Sequence, residues 1–288
     1  MRGYDQLQKK DNMLILKNIL FAFFLLFLSC SYKPTEKKEI KIVGSDTMLE
    51  LTLNLAEQFM KENPGISITV SGGGTATGIK ALINNETDIC TASRNLKPEE
   101  AKNLAEYYGS LGLVFLIAKD ALSIYLNPRN GVKDLTLHQL KDIYTGKVKN
   151  WKEFGGKDTT IIAVTRNPNS GTYLYLKEHV LGGENYTENS LVKSTTKEVL
   201  KFVEDNENAI GYGGMGYKGK VIDAKIEGVE PSENNVRNDT YAIIRYLHFF
   251  TSKTPDGTVK KFIDWVLSPA GQSVVKKSGY IPLWENKL

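Results

Sequence analysis

The stretch TRNPNSGT at residues 165–172 decides how the rest of the chain is interpreted. It follows an apolar run at residues 160–164, which predicts a buried strand, and it precedes residues 173–181, which predict a helix. Free backbone N–H groups at such a helix start converge beside two hydroxyls and a guanidinium, and the positive end of the helix dipole also favours an oxyanion. The alternative is an ordinary helix cap, in which Ser170 serves only its own helix. This stretch alone leaves both interpretations open.

The same order of strand, small polar turn and helix occurs three times before residue 110. We predict strands at residues 40–43, 66–70 and 88–92, and helices that begin near residues 48, 79 and 97. In the first helix, one buried face is predicted from the spacing of Leu49, Leu53, Ala56, Phe59 and Met60. The alternation predicts an α/β fold with a mainly parallel sheet flanked by helices.

The three polar turns all lie at carboxyl ends of predicted strands, where ligands bind in sheets of this kind. They offer hydroxyls from Ser45, Thr47, Thr75, Thr77 and Ser93. One such turn is a cap, but three on the same sheet edge could surround one tetrahedral anion together with Arg166, Ser170 and Thr172. A dehydrated oxyanion needs many neutral donors and little excess charge, because unpaired buried charge is costly.

The second half of the chain is read more coarsely. Residues 113–125 are apolar except at Lys119-Asp120, and we interpret them as one strand that leaves the first domain and another that enters the second. Residues 211–216 read as a glycine-rich turn, and residues 223–237 as irregular and polar. Further helices are predicted at 134–144, 197–206 and 258–277, the last interrupted by Pro269. A further strand is predicted at 209–212, and residues 241–250 form either a strand pair or one long crossing strand.

Composition and charge exclude several classes of protein. The chain of 288 residues suggests about two domains, and its 41% hydrophobic and 24% charged residues are typical of a globular protein. The net charge is +4, but residues 1–29 contain four basic and two acidic side chains, so the remainder carries only +2. That balance argues against a nucleic-acid-binding surface.

No motif for enzyme chemistry is found. The turn at residues 71–78 fails as a nucleotide-binding loop, because Ile79 separates Gly78 from Lys80. No serine lies in a nucleophile-elbow pattern, and no cluster has the spacing of metal ligands. The histidines fall on predicted regular elements, at His138, His179 and His248. We therefore expect no catalytic residues, cofactor or metal.

The N-terminal segment predicts export. A basic region, an apolar run at residues 19–29 and Cys30 resemble a bacterial lipoprotein signal, with Phe27 where such signals usually carry leucine. We predict a signal peptide at residues 1–29, acylation of Cys30 and a polar tether at residues 30–39. The alternatives are a plain secretory signal or a membrane span, for which the run is short. The start codon is either Met1 or Met13, and no disulfide between Cys30 and Cys90 is expected.

Several motifs together resemble the phosphate-binding lipoprotein of the bacterial phosphate ABC transporter. The likeness runs from about residue 40 to the end, and it is specific because the motifs keep their order and spacing. They are GSDT at 44–47, the turn at 72–78, DICTASR at 88–94, TRNPNSGT at 165–172 and GYIP at 279–282. The resemblance implies a two-lobed periplasmic binding protein of type II, whose lobes close over phosphate and deliver it to a membrane permease.

The resemblance also implies the ligands of the anion. By position they are Ser45, Asp46, Thr47, Met48, Thr75, Ser93, Arg94, Arg166, Ser170, Gly171 and Thr172. Many members carry an aspartate in the third turn, which accepts the proton of phosphate and so rejects sulfate. Here that position is read as Ser93, which carries no charge, with Arg94 after it as a second ligand or a structural ion pair. Asp46 is an alternative proton acceptor.

We expect lobe 1 at residues 38–120 plus 247–288 and lobe 2 at residues 121–246, with crossings near 118–123 and 246–250 that allow hinge closure. The expected partners are inorganic phosphate and a phosphate ABC permease, with no nucleic acid. The expected state is a monomer, lipid-anchored at the periplasmic face of the cytoplasmic membrane. The alternatives are a binder of sulfate or molybdate, a phosphatase of the same architecture, and a surface interaction lipoprotein that keeps the fold without the ligand.

Overall fold

Two parallel ladders joined by two long crossing strands form the frame of the molecule. The structure, a computed structural model, describes residues 38–284; the predicted signal peptide, Cys30 and most of the tether lie outside them. The strands are β1 Lys38–Gly44, β2 Ile66–Ser71, β3 Ile89–Ala92, β4 Leu113–Leu126, β5 Asp134–Leu135, β6 Ile162–Arg166, β7 Leu191–Lys193, β8 Ala209–Gly214, β9 Ile222–Asp223, β10 Lys225–Ile226 and β11 Ile244–Thr251.

Helices cover both ladders. They are α1 Leu49–Glu62, α2 Thr75–Ile83, α3 Pro98–Tyr108, α4 Leu137–Thr145, α5 Gly171–His179, α6 Thr196–Asp205, α7 Glu233–Arg237, α8 Gly257–Leu267 and α9 Pro269–Lys277, with short 3-10 helices at Asp46–Met48 and Trp151–Phe154. Among residues 38–284, no helix is both long and apolar enough to cross a bilayer. Cys90 is buried in β3 as a free thiol.

The strand order of the main sheet is β2-β1-β3-β11-β4-β8-β6-β7, with β9 also paired to β4. The first half of the sheet consists of β1, β2 and β3, in which β1 pairs in parallel with β2 and β3. The second half consists of β6, β7 and β8, in which β6 pairs in parallel with β7 and β8. The crossing strands β11 and β4 are antiparallel to their neighbours. The predicted α/β fold with two mainly parallel halves is confirmed.

The crossing strand β4 is continuous from Leu113 to Leu126. Its first part pairs with β11 as far as Ala121, and its last part pairs with β8 from Leu122 onward. The predicted division of this stretch into two strands was therefore wrong, because one unbroken strand spans it. Its charged pair does not end the strand, because Lys119 bonds Asp239 and Asp120 bonds Arg245 across the fold.

Some predicted boundaries and faces were wrong. Helix α2 begins at Thr75 rather than near residue 79, because Gly74, with φ +97°, already turns the chain into the helix. The predicted glycine-rich turn begins inside a strand, since β8 runs to Gly214. In α1, Ala56 and Phe59 are buried as predicted, but Leu53 is 42% exposed and the buried leucines are Leu51 and Leu55. The stretch 223–237 contains parts of short elements: β9, β10 and α7.

Candidate functional site

Four buried hydroxyl side chains from distant parts of the chain meet between the two halves of the sheet. Thr47 follows β1, Thr75 begins α2, Ser93 follows β3, and Thr172 lies in the first turn of α5. The Oγ1 atoms of Thr47 and Thr172 are 2.7 Å apart. The Oγ1 of Thr75 accepts from the Ser93 N–H at 3.2 Å, and the Ser93 Oγ lies 3.5 Å from the Thr172 Oγ1. The structure thus brings together four of the hydroxyls predicted to share one site, whereas the exposed Thr77 hydroxyl donates to the Gly73 carbonyl.

The close approach of α5 to the first half depends on Gly171. A Cβ at this position would collide with the Oγ1 of Thr75 and would lie only 2.6 Å from the Oγ of Ser93. The N-terminal end of α5 can therefore reach the other hydroxyls only because residue 171 has no side chain.

Ser170 and Ser45 use their polar groups locally. The Oγ of Ser170 accepts from the N–H groups of Thr172 and Tyr173, at 3.2 and 3.4 Å, so the ordinary cap describes this side chain. The Ser45 N–H donates to Thr91, and the Ser45 carbonyl accepts from the Met48 N–H at 3.0 Å. These bonds fix the Asp46–Met48 turn next to Thr172.

Arg166 is held at the end of β6 by a polar cage. Its Nη2 donates to the Oδ2 of Asp46 at 2.9 Å and to the Ser194 carbonyl at 2.8 Å, and its Nη1 donates to the Oγ1 of Thr196 at 2.8 Å. The Asp46 Oδ1 accepts from the Gly73 N–H at 3.0 Å. The guanidinium is 1% exposed, and its Nε has no hydrogen-bond partner among the described residues. Asp46 therefore compensates the charge of Arg166 and links the two halves.

Arg94 was predicted to be either a second ligand or part of a structural ion pair, and the structure shows an ion pair. Its two terminal nitrogens bond both carboxylate oxygens of Glu100, at 2.8 and 2.7 Å, and Nη1 also donates to the Asn95 carbonyl. This bidentate pair uses the guanidinium to fasten the chain after β3 to the start of α3.

A second buried guanidinium, from Arg245 on β11, was missed in the sequence. Its Nη1 donates to the Thr172 Oγ1 at 3.0 Å, and its Nε donates to the Oδ2 of Asp120 at 2.9 Å. Burial raises the pKa of Asp120, and the Arg245 guanidinium opposes that rise. One signal was available: both residues interrupt apolar strand patterns, where a charge needs a partner.

Further contacts hold the two halves together at the site. The Asn169 side chain donates to the Gly73 carbonyl at 2.7 Å, and the Asn169 carbonyl accepts from the Ala76 N–H at 3.0 Å. Tyr217 and Tyr280 donate their hydroxyls to the carbonyls of Asp46 and Thr47, at 2.6 and 2.7 Å. The Asp46–Met48 turn is therefore held from both halves of the chain.

The side chains of the site are suited to binding a ligand by hydrogen bonds. Within residues 38–284, no group of three or more His, Cys, Asp or Glu side chains is arranged to hold a metal ion. The converging groups are hydroxyls, helix-start amides and two arginines, each paired with an aspartate. A small oxyanion suits this set, because it accepts many hydrogen bonds while the arginine charges are already balanced.

Comparisons with known proteins agree with this reading of the geometry. The family model for a PBP superfamily domain matches residues 31–270. The phosphate-binding protein PstS of Bacillus subtilis (strain 168) is 33% identical, and the match covers 97% of this chain and 97% of the relative. The phosphate-binding protein PstS of Pseudomonas aeruginosa is also 33% identical, over 84% of this chain and 82% of the relative.

Solved structures are similar over most of the chain. A protein assigned as the substrate-binding component of a phosphate ABC transporter of Clostridium perfringens, solved with bound phosphate, is 36% identical with a TM-score of 0.80. The match covers 86% of this chain and all of that one. An ABC-type phosphate transport receptor from Vibrio cholerae is 30% identical with a TM-score of 0.69, over 85% of this chain and all of the receptor. These relatives are named for binding and transport rather than for catalysis.

Proposed function

Because this chain belongs to the PstS family of phosphate-binding proteins, within the PBP superfamily, we propose that it binds inorganic phosphate between its two lobes. The observation that carries the proposal is the 2.7 Å contact between Thr47 and Thr172, which puts donors from both halves at one buried point. The proposed ligands are the predicted ones: Ser45, Asp46, Thr47, Met48, Thr75, Ser93, Arg166, Ser170, Gly171 and Thr172. Arg94, which was also predicted as a ligand, is not in the proposed set, because its two terminal nitrogens bond Glu100.

Phosphate would be bound largely by hydrogen bonds and by the dipoles of the surrounding groups. Arg166 is paired with Asp46 and Arg245 with Asp120, so the buried ionised groups balance one another before the anion enters. A hydrogen bond to a charged group contributes about 1.5–3 kcal/mol. Several such bonds are enough for a micromolar dissociation constant, which corresponds to about 8 kcal/mol.

Binding would be coupled to closure of the two lobes. The proposed bounds are residues 38–120 plus 247–288 for the first lobe and 121–246 for the second. The hinge would lie where β4 changes partner from β11 to β8, next to Ala121 and Leu122. Closing would carry Arg166, Ser170 and Thr172 onto an anion already held by Thr47, Thr75 and Ser93.

The physiological role that follows is delivery of phosphate to an ABC permease outside the cytoplasm. Acylation of Cys30 would tether a monomeric protein to the periplasmic face of the membrane, with residues 30–39 as the spacer. A labelled fatty acid should appear in the wild-type protein and be absent from Cys30→Ala; equal labelling would contradict the anchor.

The function is tested by calorimetric titration of the purified full-length protein with phosphate, sulfate and molybdate. We expect phosphate to bind with micromolar or tighter affinity and more tightly than the other two anions. Tighter binding of sulfate or molybdate would mean that this anion, and not phosphate, is the ligand. No heat with any of the three would favour an interaction lipoprotein, and turnover of a phosphate ester would favour a phosphatase.

A further inference from the structure

Arg245 and Asp120 form a buried ion pair on the two strands that run between the lobes. The two residues lie directly opposite each other in the antiparallel pairing of β11 with β4, so their side chains share one face of the sheet. Both are almost fully buried, with exposures of 4% for Arg245 and 0% for Asp120. Burying an ion pair between two crossing strands costs free energy unless further hydrogen bonds to the two charged groups compensate for their desolvation.

The pair reaches polar groups of both halves of the molecule. From Arg245, Nη1 donates to the Thr172 Oγ1 at 3.0 Å and approaches the Ser93 carbonyl at 3.5 Å. From Asp120, Oδ1 accepts from the Met215 N–H at 3.0 Å. Ser93 belongs to the first half, whereas Thr172 and Met215 belong to the second. The ion pair therefore lies where the two halves and the hydroxyl cluster meet.

The guanidinium of Arg245 has donors that its protein partners do not fully use. Its Nη2 lies 2.9 Å from the Asp120 Oδ2 but makes no well-directed hydrogen bond within the described part of the chain. Its Nη1 shares the Thr172 hydroxyl with Thr47 and Ser93. A hydroxyl has one hydrogen and two lone pairs. A tetrahedral oxyanion offers many more acceptor sites at the same point.

We propose that Arg245 is a second guanidinium that contacts the bound anion, oriented by Asp120 and carried on the hinge. This inference rests on the proposed function, since it assigns a further ligand to the same site. Arg245 reaches the Thr172 hydroxyl, whereas the terminal nitrogens of Arg94 are held by Glu100. Because Arg245 lies on a crossing strand, its contact with the anion would also fix the relative position of the lobes.

Asp120 is a positioning residue in this arrangement. It accepts from Nε of Arg245, and this leaves the Nη1 side of the guanidinium toward Thr172. It also supplies the charge that keeps the empty site from holding an uncompensated buried cation. Removing Arg245 alone would leave the carboxylate of Asp120 unpaired near the anion, so a single substitution mixes repulsion with the loss of a ligand.

The test separates these two effects with the variants Arg245→Gln and Arg245→Gln/Asp120→Asn, measured by phosphate calorimetry. The double variant removes the repelling carboxylate and leaves two neutral, hydrogen-bonding side chains. If Arg245 contacts phosphate, both variants should bind it about 10- to 100-fold more weakly than the wild type. Arg129→Gln, which removes a guanidinium from an exposed loop position, is the matched control and should bind as the wild type does.

Four results of this test have distinct meanings. Wild-type affinity in the folded double variant would overturn the inference, because Arg245 would then only neutralise Asp120. Weak binding by the double variant, with a melting temperature near that of the wild type, would support a direct contact. Should the single variant fail to fold, the double variant still decides, since it carries no unpaired charge. Absence of phosphate binding by the wild type would instead refute the proposed function itself.

Discussion

The hydroxyls of Thr47 and Thr172 lie 2.7 Å apart, although 125 residues separate them in the sequence. Thr47 follows the first strand, and Thr172 lies in the first turn of α5 in the other half of the molecule. Both side chains are buried, so their contact is shielded from bulk solvent. The two halves thus share a polar contact that a small anion could enter and bridge.

The first prediction concerns the Thr172 hydroxyl. Thr172→Val keeps the shape of the side chain and removes a group that lies against Thr47, Ser93 and Arg245. We expect phosphate affinity to fall by about 10-fold or more, since a hydrogen bond to a charged group contributes about 1.5–3 kcal/mol. Calorimetry measures this, with Thr145→Val as the control, because the Thr145 hydroxyl bonds the Lys141 carbonyl within its own helix. Equal affinity for wild type and Thr172→Val would remove the Thr172 hydroxyl from the site.

The second prediction concerns the geometry of Arg166. Arg166→Lys keeps the positive charge but cannot bond Asp46, Ser194 and Thr196 as a planar guanidinium does. Phosphate binding should weaken by about 10- to 100-fold, through the loss of one or two charge-assisted hydrogen bonds. Calorimetry of this variant beside Arg129→Lys gives the comparison. A loss no larger than that of the exposed control would mean that only charge matters at position 166.

The third prediction concerns the close approach at Gly171. Gly171→Ala places a methyl group against the Oγ atoms of Thr75 and Ser93, so the closed arrangement should be strained. Overpacking of this kind costs about 1–3 kcal/mol, and we expect both a lower melting temperature and weaker phosphate binding. Gly65→Ala is the matched control, because nothing lies within 4 Å of its Cβ position. Equal behaviour of the two variants would show that α5 does not pack this closely in solution.

The fourth prediction concerns pH and His248. Burial lowers the pKa of His248 from 6.5 to about 4. Below about pH 6.5 the unfolded chain takes up a proton that the folded protein refuses, so stability should fall as pH drops toward 4. The loss attributable to this residue is up to roughly 3 kcal/mol.

Urea denaturation of the wild type and His248→Gln at several pH values isolates this effect, because the carboxylates titrate in both proteins. The free energy of unfolding should fall more steeply with acid in the wild type. Parallel curves would show that His248 has an ordinary pKa.

The fifth prediction concerns selectivity. Ser93 has no carboxylate with which to accept the phosphate proton and repel a fully ionised anion, and Asp46 is engaged by Arg166 and Gly73. Excess sulfate should therefore lower the apparent affinity for phosphate in a competition titration. An affinity that does not change with sulfate would favour Asp46 as the proton acceptor.

Much of the fold was predictable because each half repeats a strand, a polar turn and a helix. The hydroxyls of Thr47, Thr75, Ser93 and Thr172 lie near strand ends or helix starts, and parallel strands bring such ends to one edge. The role of Arg245 could not be predicted locally, because its partner Asp120 is 125 residues away. The pairing register of two distant crossing strands determines that contact.

The continuity of β4 was likewise beyond local reasoning. Lys119 and Asp120 resemble a break in an apolar strand, and only their tertiary partners Asp239 and Arg245 make an unbroken strand stable. The start of α2 was misplaced because, in the sequence, Gly74 is equally consistent with the middle of a glycine-rich turn. Its φ of +97°, which turns the chain into the helix, is known only from the structure. In each case a contact or backbone angle decided the structure, and the sequence pattern did not contain it.

A crystal structure of the protein grown with phosphate tests the central claim most directly. We expect one phosphate between the lobes, with its oxygens within hydrogen-bond distance of Thr47, Thr75, Ser93, Arg166 and Thr172. Phosphate bound elsewhere, or touching residues of one lobe only, would contradict the account.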